Sequence, residues 1–311
     1  MLKRLHCQVD IYFGITPVDP ILIKSAYASI SGAQMPFVTT VRNGVEEVYL
    51  PGSSLKGVIR SHAEKICRTL RNHSVCLPYQ LEGDEESCGN RFKNLEKQAG
   101  RPRKVTNEEA YRYSCPACRL FGSTYFVGRF GIGDAYATPA PKTETRDGVA
   151  INRHTGGASG GAKFDYEVIT HGDFQTVMTI RNFEFWQLAL LGFILQDFGA
   201  EAIRIGSGKS RGLGRVRGTV GSFILTYFDN EGTLHDLKDF CSPEERNAYG
   251  LASFQPAEMS LPEARLRGLR RVYDLTDNWQ GVCSTVAPAL SAYLDALDWQ
   301  AGINAYAGNN Q

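Results

Sequence analysis

No apolar run in the 311 residues reaches the ~18 needed to cross a bilayer, so no membrane span is expected. The opening stretch, MLKRLHCQVDIYFG, lacks the unbroken apolar segment of a secretory signal and begins a strand-like alternation at once. The expected location is cytoplasmic. Excess charge is lacking too: 34 Lys and Arg against 33 Asp and Glu leave a formal net charge of +1. A polyelectrolyte is thereby excluded, and any polyanion must be met by local basic patches. No repeat of ~20–50 residues is visible, which argues against a solenoid or a propeller. In a reducing compartment the eight cysteines are read as metal ligands or core thiols before disulfides. With 42% hydrophobic residues, the chain can bury a normal core.

The pattern along the chain is α+β. Leu5, Cys7, Val9, Ile11 and Phe13 alternate with polar neighbours and read as a strand ended by Pro17 and Pro20. A loop is expected to Tyr49. Leu55, Val58, Ile59, Ala63, Ile66, Cys67 and Leu70 then form one helical stripe, with Ser53 or Ser54 as N-cap. Residues 74–118 break the pattern and read as a polar insertion. Ser123–Ala137 reads as strand and turn. Arg146–Ile169 is strand-like at both ends of a glycine-rich centre, HTGGASGGAK, which suggests a long hairpin with a mobile tip. Phe174–Ile180 reads as strand, Phe183–Phe198 as an apolar helix and Arg215–Phe228 as a strand. The order fits a ferredoxin-like, RRM-like β-α-β-β-α-β core over 1–228. Residues 229–311 are expected to be a helical extension, with helices over Glu244–Arg271 and Thr285–Asn304. Leu266, Leu269 and Val272 would form one apolar face there, and Leu290, Tyr293, Leu294 and Leu297 another.

Ile205–Val216, IGSGKSRGLGRV, carries the clearest chemistry. Five basic residues and no acidic one fall between Ile203 and Arg217. Glycine admits positive φ and close approach, and consecutive amides in such a loop make a concave anion site. Gly208-Lys209-Ser210 spells the end of a nucleotide-binding P-loop. That motif also requires glycine where this chain has Ile203, and a strand before the loop rather than a helix. Polymeric phosphate fits better than a nucleoside triphosphate, with Lys209, Arg211 and Arg215 as its cations.

Cys115-Pro-Ala-Cys118 brings two thiols within reach of one metal, and Cys76 and Cys88 from the other end of the insertion complete a candidate structural Zn²⁺ site. His73 is a substitute for Cys76. The alternative is a redox CxxC beside unpaired core thiols. Cys7 and Cys67 lie on apolar faces and read as core residues.

PGSSLKGVIRS (51–61), CPACRLFG (115–122), INRHTGGASGGAKFDYEVI (151–169) and IGSGKSRGLGRV (205–216) together resemble the RAMP superfamily of CRISPR-associated proteins. Within it, the chain looks like a backbone subunit of a type III, or type III-D-like, effector complex. The resemblance covers roughly residues 5–226. It implies an RRM-like palm, a β-hairpin thumb at 146–169, and stacking of sister RAMP subunits along a CRISPR RNA that pairs with target RNA. It also implies that Ser54, Lys56 and Arg60 face the guide backbone and that Gly206–Gly214 is the family's glycine-rich loop. The physics of a helix N-terminus supports phosphate at Lys56 and Arg60, against the alternative of a solvated helix face. Arg153 and His154, beside the hairpin tip, are further RNA-contact candidates, against the alternative of a plain surface loop.

Slicing members carry an aspartate in a stretch resembling G-x-D-x-P. Here Gly32-Ala33-Gln34-Met35-Pro36 matches, with Gln34 at the acid's position. A glutamine neither takes a proton nor binds Mg²⁺ as a carboxylate does. Asp19, in the same loop, is the one catalytic candidate, and Mg²⁺ is implied only if the subunit cuts. Asp165 and Glu167 share a strand face, as a carboxylate pair or a salt-bridged hairpin base. A guide-processing nuclease is a further reading, with His6, His62 or His154 as base.

Overall fold

The computed structural model describes residues 3–25, 33–80, 86–98, 104–228, 232–297 and 299. β1 (Cys7–Pro17) is the central strand of the main sheet. Its alternation places Cys7, Val9, Ile11 and Phe13 in the core and Gln8, Asp10 and Tyr12 on the opposite face. Where the sequence suggested only loop, β2 (Thr39–Arg42) and β3 (Val45–Val48) form a hairpin. Asn43 and Gly44 turn it with φ of 52° and 80°, the paired left-handed conformation of a tight two-residue turn.

α1 (Gly52–Leu70) buries Leu55, Ile59, Ala63 and Cys67. Its N-cap is Pro51, and neither Ser53 nor Ser54 caps it. Instead the Gly52 amide donates to Asp134 Oδ1 at 2.7 Å. A Cβ at Gly52 would sit 2.8 Å from the Ile132 carbonyl oxygen, so only glycine lets the helix start this close to the sheet.

The segment 74–118 supplies α2 (Cys88–Gln98), α3 (Asn107–Arg112) and α4 (Pro116–Phe121). Its apolar side chains, Val75, Phe92, Ala110 and Ala117, bury in the same core as β1 and α1. Short strands follow: β4 (Gly122–Ser123), β5 (Phe126–Val127), β6 (Phe130–Ile132) and β7 (Tyr136–Ala137). The long hairpin is β8 (Lys142–Ile151) and β9 (Ala158–His171), with Arg146 opposite Tyr166. Then come β10 (Phe174–Arg181), α5 (Phe185–Gly199) and β11 (Val216–Tyr227).

The sheet order is β11-β1-β10-β6, with every neighbour antiparallel. This is the fourth-first-third-second order of a ferredoxin-like β-α-β-β-α-β core. α1 and α5 pack on the buried face, and the β8–β9 hairpin is inserted between the second and third core strands.

Beyond β11 the expectation of helices needs correction. Among the described residues of 244–271 only α6 (Pro243–Tyr249) is helical. β12 (Arg265–Arg267) and β13 (Arg270–Asp274) form a hairpin that joins the sheet by β13–β11 pairing. Gly268, at φ 62°, turns it, which leaves Leu266 and Leu269 exposed instead of on a helical face. α7 (Trp279–Val286) and α8 (Pro288–Ala296) are the helical extension and pack on α5. Trp186 stacks on Tyr293 with ring centres 4.1 Å apart. This second layer explains why α5 is apolar around most of its circumference. The helix expected to run on to Asn304 has ended by Ala296, and its final stretch lies outside the described residues.

Candidate nucleic-acid interface and metal centre

The sulfurs of Cys76, Cys88, Cys115 and Cys118 lie within 4.8 Å of one another, and all four residues are buried. Cys76 Sγ is 3.6 Å from Cys115 Sγ and 3.7 Å from Cys118 Sγ. Bonds of ~2.3 Å from one tetrahedral metal would space sulfurs ~3.8 Å apart, whereas a disulfide would bring two to ~2.05 Å. The cluster is therefore able to chelate a metal ion. Burial drives the Cys88 and Cys115 thiols well above their ordinary range, while hydrogen bonds from Cys115, Cys118 and Cys88 hold Cys76 far below it. A cation is what lets four buried sulfurs lose their protons together. The Cys115 amide donates to Cys88 Sγ at 3.3 Å and Arg60 Nη2 to Cys118 Sγ at 3.4 Å, so both sulfurs are oriented by the protein. His73 is not part of the cluster.

The glycine-rich loop closes α5 and leads into β11, as its position in the sequence implied. Gly206, Gly208, Gly212 and Gly214 all have positive φ, between 72° and 88°. A Cβ at Gly214 would lie 2.2 Å from the Ile205 carbonyl oxygen, and one at Gly206 would lie 2.3 Å from that of Leu22. The loop is anchored by Ser207 N to Leu22 O (2.7 Å) and Gly214 N to Pro20 O (2.9 Å). Arg204 Nη1 donates to the carbonyls of Lys209 and Leu213, turning those oxygens inward. Among the described residues no acceptor reaches the amides of Gly208, Lys209 and Ser210. Left-handed Gly208 followed by right-handed Lys209 is the geometry of an anion-binding nest. Lys209 is lowered in pKa by burial and then by Lys65, a like charge on α1.

The structure brings some sequence candidates together and separates others. Arg211 meets the base of the hairpin in a cleft of about 170 Å³ shared with Lys24, Phe164 and Tyr166. Leu22, Leu213 and Val168 pack beneath it. Among the described residues neither Asp165 nor Glu167 forms an ion pair, so the salt-bridged hairpin base is not seen. Asp165 Oδ1 accepts the Gln34 amide at 3.0 Å and Glu167 Oε2 the Phe37 amide at 3.1 Å, so both pin the 33–37 segment to β9. Gln34 is thereby fixed at the hairpin base with its side chain exposed, while Gly32 lies outside the described residues.

Arg60 turns away from solvent to Glu64 (3.0 Å), the Gly122 carbonyl (3.1 Å) and Cys118. Lys56, half-buried, is lowered in pKa by burial and then by Arg60. Ser54 is half-buried one turn from an N-terminus whose first amide Asp134 already holds. Lys65 stands nine residues from Lys56, about 180° around the helix, and it is the α1 cation that reaches the loop. Arg215 pairs with Asp19 at 3.2 Å and lies 3.7 Å from Glu201, so its charge is already met. Arg153 and His154 are exposed at the hairpin tip, where Asn152 Oδ1 accepts the His154 amide at 2.8 Å. The three candidate histidines do not share a site: His62 bonds Asp197 at 2.6 Å, joining α1 to α5, and His6 stacks on Phe240. Sequence reasoning missed Lys65 and Lys24, because only the tertiary fold brings them to the loop, and it counted Arg204 among the basic residues without its bracing role.

This fold and site define an RRM-like palm with an inserted hairpin, a glycine-rich loop with unpartnered amides and a four-cysteine cluster able to chelate a metal. Residues 15–217, about two thirds of the chain, match the model of the RAMP superfamily. The chain belongs to the RAMP superfamily, a family found among CRISPR-associated proteins. No curated protein matches the chain in sequence. Among the described residues no helix is long and apolar enough to cross a membrane.

Proposed function

We propose that this chain is a CRISPR RNA-binding backbone subunit of a type III, type III-D-like, effector complex, packing on sister RAMP subunits and presenting target RNA to the guide. The observation that carries this reading is the nest of unpartnered amides at Gly208–Ser210, flanked by Lys209 and Arg211 and opening beside the hairpin base. Backbone amides and cations read phosphate without reading sequence, which suits a subunit whose specificity comes from guide pairing. Lys209 and Arg211 carry the contacts, with Arg153 and His154 at the exposed hairpin tip as further contacts, whereas Lys56 lies on the side of α1 away from the loop. Zn²⁺ in the four-cysteine centre would tie α2 and α4 to the palm.

The subunit binds without cutting. Gln34 stands where slicing relatives have an acid, and Asp19 is held between two arginines. The test is a guide-RNA titration over a salt series. Each phosphate contact contributes a slope of about −0.7 in log affinity against log salt, and Lys209→Ala with Arg211→Ala should make the slope shallower by about 1.4. An unchanged slope defeats the cradle. The competing reading, an Mg²⁺-dependent endoribonuclease subunit, gains ground if the reconstituted complex loses one target cut on Asp19→Ala.

A further inference from the structure

Among the described residues the helices cover one face of the main sheet and leave the other open. β12 and β13 extend that open face past β11 and bound a groove of about 970 Å³. Ala264–Tyr273 contains four arginines and no acid. Three of them, Arg265, Arg267 and Arg270, are exposed and line the groove, and among the described residues no carboxylate pairs with them. Arg270 lies over the Phe228 ring, 5.4 Å from its centre.

On the groove floor Tyr12 is 58% exposed, although β1 is the central strand. The register explains this: Tyr12 sits between Val177 on β10 and Ser222 on β11, and neither is large enough to cover the ring. Three carboxylates share the groove. Asp10 accepts from Thr179 (2.7 Å) and Gln8 (2.6 Å), Asp274 from the hydroxyl and amide of Thr276, and Glu263 stands exposed at the rim. Neutral donors satisfy the two on the floor without cancelling charge, and with Arg181 the lining holds four arginines against three carboxylates, a small excess that favours an anionic ligand.

We infer that this groove is a second site for single-stranded RNA, with a base stacked on Tyr12 and successive phosphates on Arg265, Arg267 and Arg270. An acidic peptide would use the arginines but offer no planar partner for the ring, whereas a single strand uses both. The site lies on the side of the sheet away from α1 and α5, and it does not depend on the glycine loop. The β12–β13 hairpin falls outside the residues matched to the family.

The experiment uses the full chain with Lys209→Ala and Arg211→Ala already in place, so that the glycine loop is silenced. The probe is fluorescein-labelled octauridylate, followed by anisotropy over a potassium chloride series. Arg265→Ala, Arg267→Ala and Arg270→Ala together should make the salt slope shallower by about 2. Tyr12→Ala should weaken binding roughly tenfold without changing the slope, and Tyr12→Phe should restore it. Circular dichroism verifies that each variant is folded. The inference is overturned if the triple variant keeps its slope, if Tyr12→Ala binds as before, or if polyglutamate displaces the RNA more readily than unlabelled RNA does. Failure of the glycine-loop reading shows separately, as a parent variant that binds like the unsubstituted chain.

Discussion

Arg215 Nη2 lies 3.2 Å from Asp19 Oδ1, and Arg204 Nη1 approaches the other carboxylate oxygen at 3.6 Å. The amides of Val18 and Asp19 both donate to the Arg215 carbonyl, at 2.9 and 3.0 Å. Asp19 thus fastens the loop after β1 to the start of β11. To gather a divalent cation it would have to give up two guanidinium partners.

The expected outcome for Asp19→Asn follows. Both arginines are about two-fifths exposed, so the ion pairs are worth little, about 1 kcal/mol or less. The thermal midpoint should fall by about 1–3 °C, and target cleavage by a reconstituted complex should be unchanged. A lost cut with a normal midpoint would make Asp19 a metal ligand after all.

The cysteine centre predicts about one zinc per chain by elemental analysis. Cys115→Ser with Cys118→Ser should abolish it. Structural zinc supplies roughly 10–16 kcal/mol of apparent folding energy, so the double variant should be largely insoluble. Titrating the native chain with a chelator gives the same information without a variant: metal release should coincide with loss of the near-ultraviolet signal. Metal lost with no change in fold would mean that the centre is not structural.

Two glycines of the same loop should respond differently to alanine. At Gly214, φ is 88° and a Cβ would meet the Ile205 carbonyl oxygen at 2.2 Å, whereas at Gly212, φ is 78° and nothing lies within 4 Å. Gly212→Ala should cost about 1–2 kcal/mol, the strain of a left-handed side chain. Gly214→Ala adds a clash with backbone and should cost about 3–5 kcal/mol in urea denaturation. Equal losses would mean that the loop adapts freely.

Burial pushes the Asp236 carboxyl up to about 8, against the lowering by Lys238 and by the Phe185 amide. Its oxygens accept the amides of Phe185, at the start of α5, and of Lys238, each at 3.0 Å. A carboxyl raised on folding binds its proton more tightly in the folded chain than in the unfolded one. Its contribution is complete below about pH 4, the unfolded value, and is lost as pH rises toward 8. Asp236→Asn should therefore flatten the fall in thermal midpoint between pH 5 and 8, while costing about 1 kcal/mol for a weakened cap. An Asn variant with the native pH profile would contradict the assignment.

The buried pair of Arg119 and Glu184, 3.1 Å apart, links α4 to the start of α5. Glu184 also accepts from the Tyr111 hydroxyl (2.7 Å) and the Ala252 amide (2.8 Å). Removing its charge leaves a buried guanidinium unmet, so Glu184→Gln should cost about 3–5 kcal/mol. A loss under 1 kcal/mol would mean that water replaces the carboxylate.

Much of this molecule is written in local pattern. The alternation of β1, the stripe of α1, the glycine spacing at 206–214 and the CxxC at 115–118 each express a preference of a few neighbouring residues, and each survives in the structure. The sequence alone therefore determined the order of the palm, the identity of the four cysteines that cluster and the left-handed loop. Partners distant in sequence were decided only by the tertiary structure. Asp134 takes the α1 amide that phosphate was expected to share, Arg60 turns inward to Glu64 and Cys118, and Lys65 is the α1 cation beside the loop. At 265–274, leucine spacing suggested a helix, but pairing with the β11 edge and the Gly268 turn made a hairpin. The physical reason is common to these cases. Side-chain periodicity states which face is buried, whereas the choice of partner for a charge or an open strand edge depends on what the folded chain brings within hydrogen-bond distance.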